Sequence, residues 1–258
     1  MTSTPLNTKV AFITGAGAGI GSGIAERFSE AGAAVALFDI NGESAEQISR
    51  KIEHAGHGRS LALQGDVSNE TDVKAAVEQT VEKFGAVDVL INNAGIDVSS
   101  RVPAMSASAW DRVMAVNLKG AFLCSKYVIP HMLGRGGTIV NISSVHAFAS
   151  YESYAAYDAS KAGLIALTRT LALDHGRDGI RVNAICPGYI STPMTDEWLK
   201  EQPDPAATLK EVLSFHPLGR MGTVRDVADA VLFLASDASA FISGTYLVVD
   251  GALSVAGR

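Results

Sequence analysis

The chain has 258 residues, a formal net charge of −6, and 47% apolar against 19% charged residues. That balance excludes a disordered chain, and its mild acidity leaves no electrostatic footprint for nucleic acid or an anionic membrane. No apolar run approaches the roughly 18 residues of a transmembrane helix, and residues 1–5 carry no basic or apolar leader, so a cytoplasmic protein without membrane or nucleic-acid partners is expected. The two cysteines, Cys124 and Cys186, match no metal spacing, so neither a metal site nor a disulfide framework is expected.

Short β-branched runs alternate with helical patterns along the chain. Residues 9–14 read as a strand buried on both faces. Residues 20–32 read as a helix with Ile24 and Phe28 on one face and Gly32 as its stop. Strands follow at 34–39, 60–64 and 87–91, separated by helices at 43–55 and 71–84. A long helical stretch at 108–133, bent near Gly120 and Pro130, precedes a strand at 138–142, a helix at 154–175 and a strand at 181–185. The polar stretch 194–219, with Pro203, Pro205 and Pro217, breaks the rhythm; a helix at 224–235 and a strand at 245–249 close the chain at an Asp250-Gly251 turn. Apolar strands joined by helical crossovers predict a doubly wound, seven-stranded, mostly parallel sheet with helices on both faces. Residues 1–258 are expected to form one domain, with 194–219 as a lid over a substrate.

The first strand runs into Thr14-Gly-Ala-Gly-Ala-Gly-Ile-Gly21, followed by a helix. Glycines let backbone approach a ligand closely, and the free N–H groups of a helix start favour a pyrophosphate. The strict G-x-G-x-x-G spacing is not met; Gly15, Gly19 and Gly21 give T-G-x-x-x-G-x-G. Strand two ends in Asp39, where a carboxylate suits the hydroxyls of an adenosine ribose and repels a 2′-phosphate. No Lys or Arg lies in the glycine loop or closely follows Asp39, which favours NAD over NADP. G-K-S/T, H-E-x-x-H and G-x-S-x-G motifs are absent, which argues against a nucleotide triphosphatase, a zincin and an α/β-hydrolase. Tyr157 and Lys161 stand four apart in a helical stretch and share a face. A nearby ammonium lowers a phenol's pKa, and such a pair can exchange a proton with an alcohol or carbonyl.

With the Thr14–Gly21 loop, Asp66-Val67, Asn92-Asn93-Ala94-Gly95, Asn117, Ser144, Y-D-A-S-K from Tyr157 to Lys161, and Pro187-Gly188 in this order, the chain resembles the short-chain dehydrogenases/reductases of about 250 residues that use NAD. The resemblance runs from Lys9 to Gly251 and implies a Rossmann fold. It implies that Tyr157 is the general acid/base, Lys161 its pKa-lowering partner and ribose contact, Ser144 the holder of the substrate oxygen, and Asn117 the anchor of a relay water. It assigns Gly15, Gly17, Gly19, Ile20, Gly21, Asp39, Ile40, Asp66, Val67, Asn93, Ala94, Gly95, Pro187, Gly188, Ile190 and Thr192 to the dinucleotide, besides Tyr157 and Lys161. The implied reaction is hydride transfer between NAD and a secondary alcohol or hemiacetal, by a homodimer or homotetramer packed through the long helices and the last strand.

The substrate is expected to meet Ser144, the segments after Ser144 and Pro187, and the 194–219 stretch. These offer His146, Ser150, Glu152, Tyr154, Tyr189, Thr195, Asp196, Glu197, Trp198 and His216. Such polar groups suit a sugar, polyol or other small polar alcohol; His146, Glu152, Tyr189 and Trp198 are the candidate contacts. The alternatives are a 3-oxoacyl thioester reductase, which Asp39 disfavours, and a catalytically silent NAD-binding regulatory protein.

Overall fold

A computed structural model describes residues 5–256. The reading of a missing leader at residues 1–5 falls, except for Pro5, outside the described residues. Seven strands form one sheet: β1 (Val10–Thr14), β2 (Ala34–Asp39), β3 (Ser60–Gln64), β4 (Val89–Asn92), β5 (Gly137–Ile142), β6 (Ile180–Pro187) and β7 (Tyr246–Val249). Their order is β3-β2-β1-β4-β5-β6-β7, and every pairing is parallel. The sheet is therefore entirely parallel, not only mostly so.

Strand alternation explains why both faces are covered. Ala11, Ile13, Val35 and Leu37 enter one apolar cluster, whereas Phe12, Ala36 and Phe38 enter another on the opposite face. The first cluster packs against α1 (Gly19–Glu30) and α9 (Val224–Ala235), through Ile24, Phe28, Val227 and Val231. The second packs against α3 (Glu70–Phe84) and α5 (Gly120–Met132), through Val73, Val77, Leu123 and Val128. The chain starts mid-sheet at β1, winds outward to β3, and returns to β4 beside β1. Loops after β1 and β4 therefore diverge, and ligands of doubly wound folds bind above that divergence, at the carboxyl ends of the strands.

Two stretches depart from the sequence reading. The long helix bends through one π-helical turn, Ala115–Lys119, between α4 (Ala107–Met114) and α5, while Pro130 is carried inside α5. Such turns concentrate at functional sites, and this one contains Asn117. The 194–219 stretch is not irregular: it holds most of α7 (Pro193–Lys200) and all of α8 (Pro205–Ser214). Both start on an N-cap followed by proline, Thr192-Pro193 and Asp204-Pro205, the pairing that nucleates a helix without wasting an N–H. Among the described residues no helix is long and apolar enough to cross a membrane.

Candidate active site

A cleft of about 490 Å³ runs along the carboxyl edge of the sheet. At one end lie Gly15, Gly19, Ile20, Asp39, Ile40, Asp66, Val67, Asn93, Ala94 and Gly95; at the other lie Ser144, His146, Tyr157, Lys161, Tyr189 and Trp198. Pro187, Gly188, Ile190 and Thr192 join the two ends.

The glycine loop is fixed by backbone geometry. Gly15 and Gly19 have φ of +61° and +56°, in the left-handed region where a side chain is strained. Gly21 does not line the cleft; a Cβ there would stand 2.0 Å from the Gly15 carbonyl oxygen, so its role is to let α1 press against the loop. Thr14 ties this loop to β4, its hydroxyl accepting the Asn93 and Ala94 N–H groups at 2.9 and 3.0 Å. Gly17 also lies outside the cleft lining, but its N–H donates to Asp39 Oδ2 at 2.8 Å while Asn41 N–H donates to Oδ1 at 2.9 Å. The carboxylate at the end of β2 is thus oriented by the loop itself.

A nicotinamide dinucleotide fits this end. The helices α2 (Gly42–His54), α3, α7, α8 and α9 each begin on a capping side chain, but α1 begins at Ala18 with none. Its first N–H groups remain free for an anion such as a pyrophosphate. Asp66 caps the far end: its carboxylate accepts from Ser68 and from Arg112 Nη1, the latter at 2.9 Å. Burial pulls the Asp66 pKa upward, but the Ser68 and Arg112 donors outweigh it and hold the carboxyl below its ordinary value. Arg112 was not singled out from sequence, because only the fold brings α4 over the β3 loop.

At the other end, β5 delivers Ser144 and α6 (Ala155–His175) delivers Tyr157 and Lys161. The Tyr157 phenol hydrogen-bonds the Ser144 side chain. Lys161 is 3% exposed; its Nζ donates to the Ile142 carbonyl at 2.8 Å and stands 5.4 Å from the Tyr157 ring centroid. Burial pushes the Lys161 pKa down to about 8, against weaker upward pulls from Cys186 and Asp97. The sequence reading expected Lys161 to lower the phenol's pKa. Instead Tyr157, though partly open to the cleft, is pushed upward by desolvation, with Asp97 and Asp158 adding to the shift and only Ser144 opposing it. The neutral phenol is therefore its resting form in this geometry.

Asn117 is 1% exposed and lies behind the cleft wall. Its Oδ1 accepts the Ile96 N–H at 2.8 Å, and its Nδ2 donates to the Ile96 carbonyl at 2.8 Å and to Ser160 Oγ at 3.0 Å. The side-chain amide is spent on clamping the β4 loop to α6, so it has little left for a water. Glu152 is not brought to the site: its side chain is 91% exposed and pairs with Arg101 at 3.7 Å over a separate hollow. Asp196 and Glu197 face solvent, Thr195 donates to the Ile190 carbonyl at 2.7 Å, and His216 is buried edge-on beneath Tyr189. Residues that sequence reasoning missed are Asp97, Tyr151 and Met194, which line the cleft, and Asp158, which braces His146. Asp158 had a visible signal, as the second residue of Y-D-A-S-K, and Tyr151 and Met194 lie in the segments expected to meet the substrate; Asp97 had none.

A family profile described as enoyl-(acyl carrier protein) reductase matches residues 15–254. The chain is 43% identical over 249 residues to 2-(R)-hydroxypropyl-CoM dehydrogenase of Xanthobacter autotrophicus, covering 95% of this chain and 98% of that one. It is 39% identical over 245 residues to meso-2,3-butanediol dehydrogenase of Serratia marcescens, covering 95% and 94%. The crystal structure of levodione reductase superposes with a TM-score of 0.94 at 35% identity, covering 97% of this chain and 99% of that one. By profile, by sequence and by superposition, the chain belongs to the short-chain dehydrogenase/reductase family.

Proposed function

We propose that this protein is an NAD-dependent oxidoreductase that interconverts a small, uncharged, polar secondary alcohol and its carbonyl compound. One observation carries the reading: the Ser144–Tyr157 hydroxyl pair, with Lys161 beside it, opens into the same cleft as the uncapped start of α1. Bound NAD supplies the hydride acceptor, and no metal is required. The substrate oxygen sits between the Ser144 and Tyr157 hydroxyls. In reduction the neutral Tyr157 phenol donates its proton to the carbonyl as hydride arrives; in the oxidative direction the phenol first gives up its own proton to solvent, and the resulting phenolate takes the substrate O–H proton as the C–H hydride leaves. Asp39 supports NAD, because a second negative charge on the ribose would meet a carboxylate whose orientation is already fixed. The cleft's two Lys or Arg residues among those described, Arg112 and Lys161, are engaged with Asp66 and Ile142.

The substrate end supports the restriction to uncharged alcohols. Its walls are the half-buried rings of Tyr151, Tyr154, Tyr189 and Trp198, with the Asp97 carboxylate at the rim and, among the described residues, no guanidinium there to pair with an anionic group. Two related enzymes are named for different alcohols, a hydroxypropyl-CoM and meso-2,3-butanediol; this lining favours a small neutral alcohol such as the latter. We further propose residues 1–258 as one catalytic domain, with α7 and α8 as its lid. We propose a homodimer or homotetramer, in which the half-exposed edge strand β7 is paired; sedimentation as a monomer at micromolar concentration would refute the assembly. The deciding experiment follows reduced nicotinamide appearance with polyols, aldoses, apolar alcohols, hydroxy acids and 3-hydroxyacyl thioesters, each with NAD and with NADP. Turnover of neutral hydroxy compounds with NAD is expected. Turnover confined to anions or thioesters, or to NADP, overturns the reading, and tight NAD binding with no turnover favours a regulatory protein.

A further inference from the structure

His146 is braced on several sides at once. Its Nδ1 lies 2.6 Å from Asp158 Oδ1, and Asp158 Oδ2 accepts the Tyr151 N–H at 3.3 Å. Tyr151 stacks on the imidazole at 4.3 Å between centroids, and Tyr154 and Tyr157 meet it edge-on at 5.3 and 5.1 Å. Its own N–H donates to Ser144 Oγ at 3.2 Å. A carboxylate only accepts, so Nδ1 carries the ring proton and Nε2 is left as a bare acceptor. Nε2 makes no hydrogen bond among the described residues, and unlike that of His216 it is not sealed from the cleft that His146 lines.

We propose that the Asp158–His146 pair reads a second hydroxyl on the carbon next to the reacting one, so that the preferred substrates are vicinal diols and the corresponding α-hydroxy ketones. This rests on the reading of the cleft as an alcohol site. The ring stands beside the Ser144–Tyr157 pair that holds the first oxygen, so its acceptor meets the neighbouring position on the substrate. A vicinal diol donates its second O–H to Nε2. A simple alcohol brings a C–H there and leaves a desolvated acceptor unpaired, which is how a polar site rejects an analogue lacking the hydroxyl. Asp158 lies on the other side of the ring, where it lines the hollow shared with Arg101 and Glu152. It is a positioning residue that sets the tautomer without touching substrate.

The charges facing His146 are Asp158 and Lys161 on α6 and Asp97 after β4, together with the phenols of Tyr151, Tyr154 and Tyr157. Burial lowers its pKa more than Asp158 and Asp97 raise it, so the acceptor form persists at neutral pH. Acid converts Nε2 from acceptor to donor.

The test compares butane-2,3-diol with butan-2-ol, and cis-cyclohexane-1,2-diol with cyclohexanol, as NAD-dependent substrates of the purified protein. In the wild type, diol kcat/KM is expected to exceed that of the simple alcohol by about 10- to 100-fold. His146→Phe, which keeps the stacking and removes the acceptor, should bring the ratio to within about twofold of one. Asp158→Asn should lower the ratio through the diol KM rather than through kcat. The wild-type diol-to-alcohol ratio is itself a readout that needs no variant to fold. Equal wild-type turnover of diol and alcohol, or a ratio preserved in His146→Phe, overturns the proposal and leaves the oxidoreductase reading standing. Inertness toward every alcohol and carbonyl overturns both.

Discussion

The two ends of the cleft are built in different ways. The dinucleotide end is made of backbone: positive-φ glycines, the uncapped start of α1, and an Asp39 carboxylate held by two main-chain N–H groups. The substrate end is made of side chains packed against one another, with Tyr151, Tyr154 and Tyr157 each in ring contact with His146, Tyr154 also with Tyr157, and Trp198 against Tyr189. A backbone site tolerates almost no added atom, because main chain cannot step aside. A side-chain site can be reshaped by one substitution without disturbing the sheet beneath it. A fold can thus hold one cofactor site fixed while varying its substrate.

The largest effect expected belongs to the point where the two ends meet. Tyr157→Phe should cost about 10²- to 10⁴-fold in kcat while leaving dinucleotide affinity within a few-fold, measured by steady-state kinetics and by fluorescence titration. Equal loss of both would mean that the ends are not separable. At the backbone end, Gly21→Ala sets a methyl against the Gly15 carbonyl, where neither atom belongs to a flexible side chain. We expect a loss of about 3 kcal/mol in denaturant unfolding, at the upper end of overpacking costs. A well-folded Gly21→Ala protein with unchanged dinucleotide affinity would break the contrast between the two ends.

Lys161 sharpens the contrast differently, because it is placed against the interests of the fold. Its native pKa of about 8 lies below the ordinary value of 10.5, so between those values the unfolded chain binds more protons and wild-type stability rises with pH. Below about pH 8 both states hold the proton and the full burial penalty applies. Lys161→Met removes that penalty, worth about 3 kcal/mol, and forfeits the hydrogen bond to the Ile142 carbonyl, worth about 1 kcal/mol. The variant should therefore be about 2 kcal/mol more stable at pH 7, lose that gain as pH approaches 10.5, and turn over poorly. Thermal melts at the two pH values check it.

What was legible in the sequence follows the same division. The sheet could be read because strands buried on both faces are apolar throughout, and the crossovers because Ile24 and Phe28 keep helical spacing. The glycine loop and Asp39 could be read because their partners are local: Gly17 reaches Asp39 over one βαβ unit. Thr192-Pro193 and Asp204-Pro205 carry helix-start signals, but the prolines and polar residues around them break the apolar rhythm, and the helices there went unread. The upward shift of Tyr157 was not legible, because desolvation depends on packing from β5, β6 and the β4 loop. Asp97 and Arg112 reach the cleft only through tertiary structure, and nothing in their own neighbourhoods marks them.

Glu152 is where reading by proximity went furthest astray, and it yields the smallest expected effect. It lies eight residues after Ser144 and five before Tyr157, which made it a natural substrate contact. The turn between β5 and α6 carries it outward, so that Tyr151 and Asp158 pack around His146 while Glu152 reaches solvent at 91% exposure. Its partner Arg101 is also exposed, at 79%, and an exposed pair of this kind contributes little. Glu152→Gln should leave kcat and KM within about twofold and stability within about 0.5 kcal/mol, as expected for a surface change. A large rise in KM would mean that the segment after Ser144 folds inward when substrate binds, moving the boundary of the substrate end outward to include the hollow that Asp158 lines.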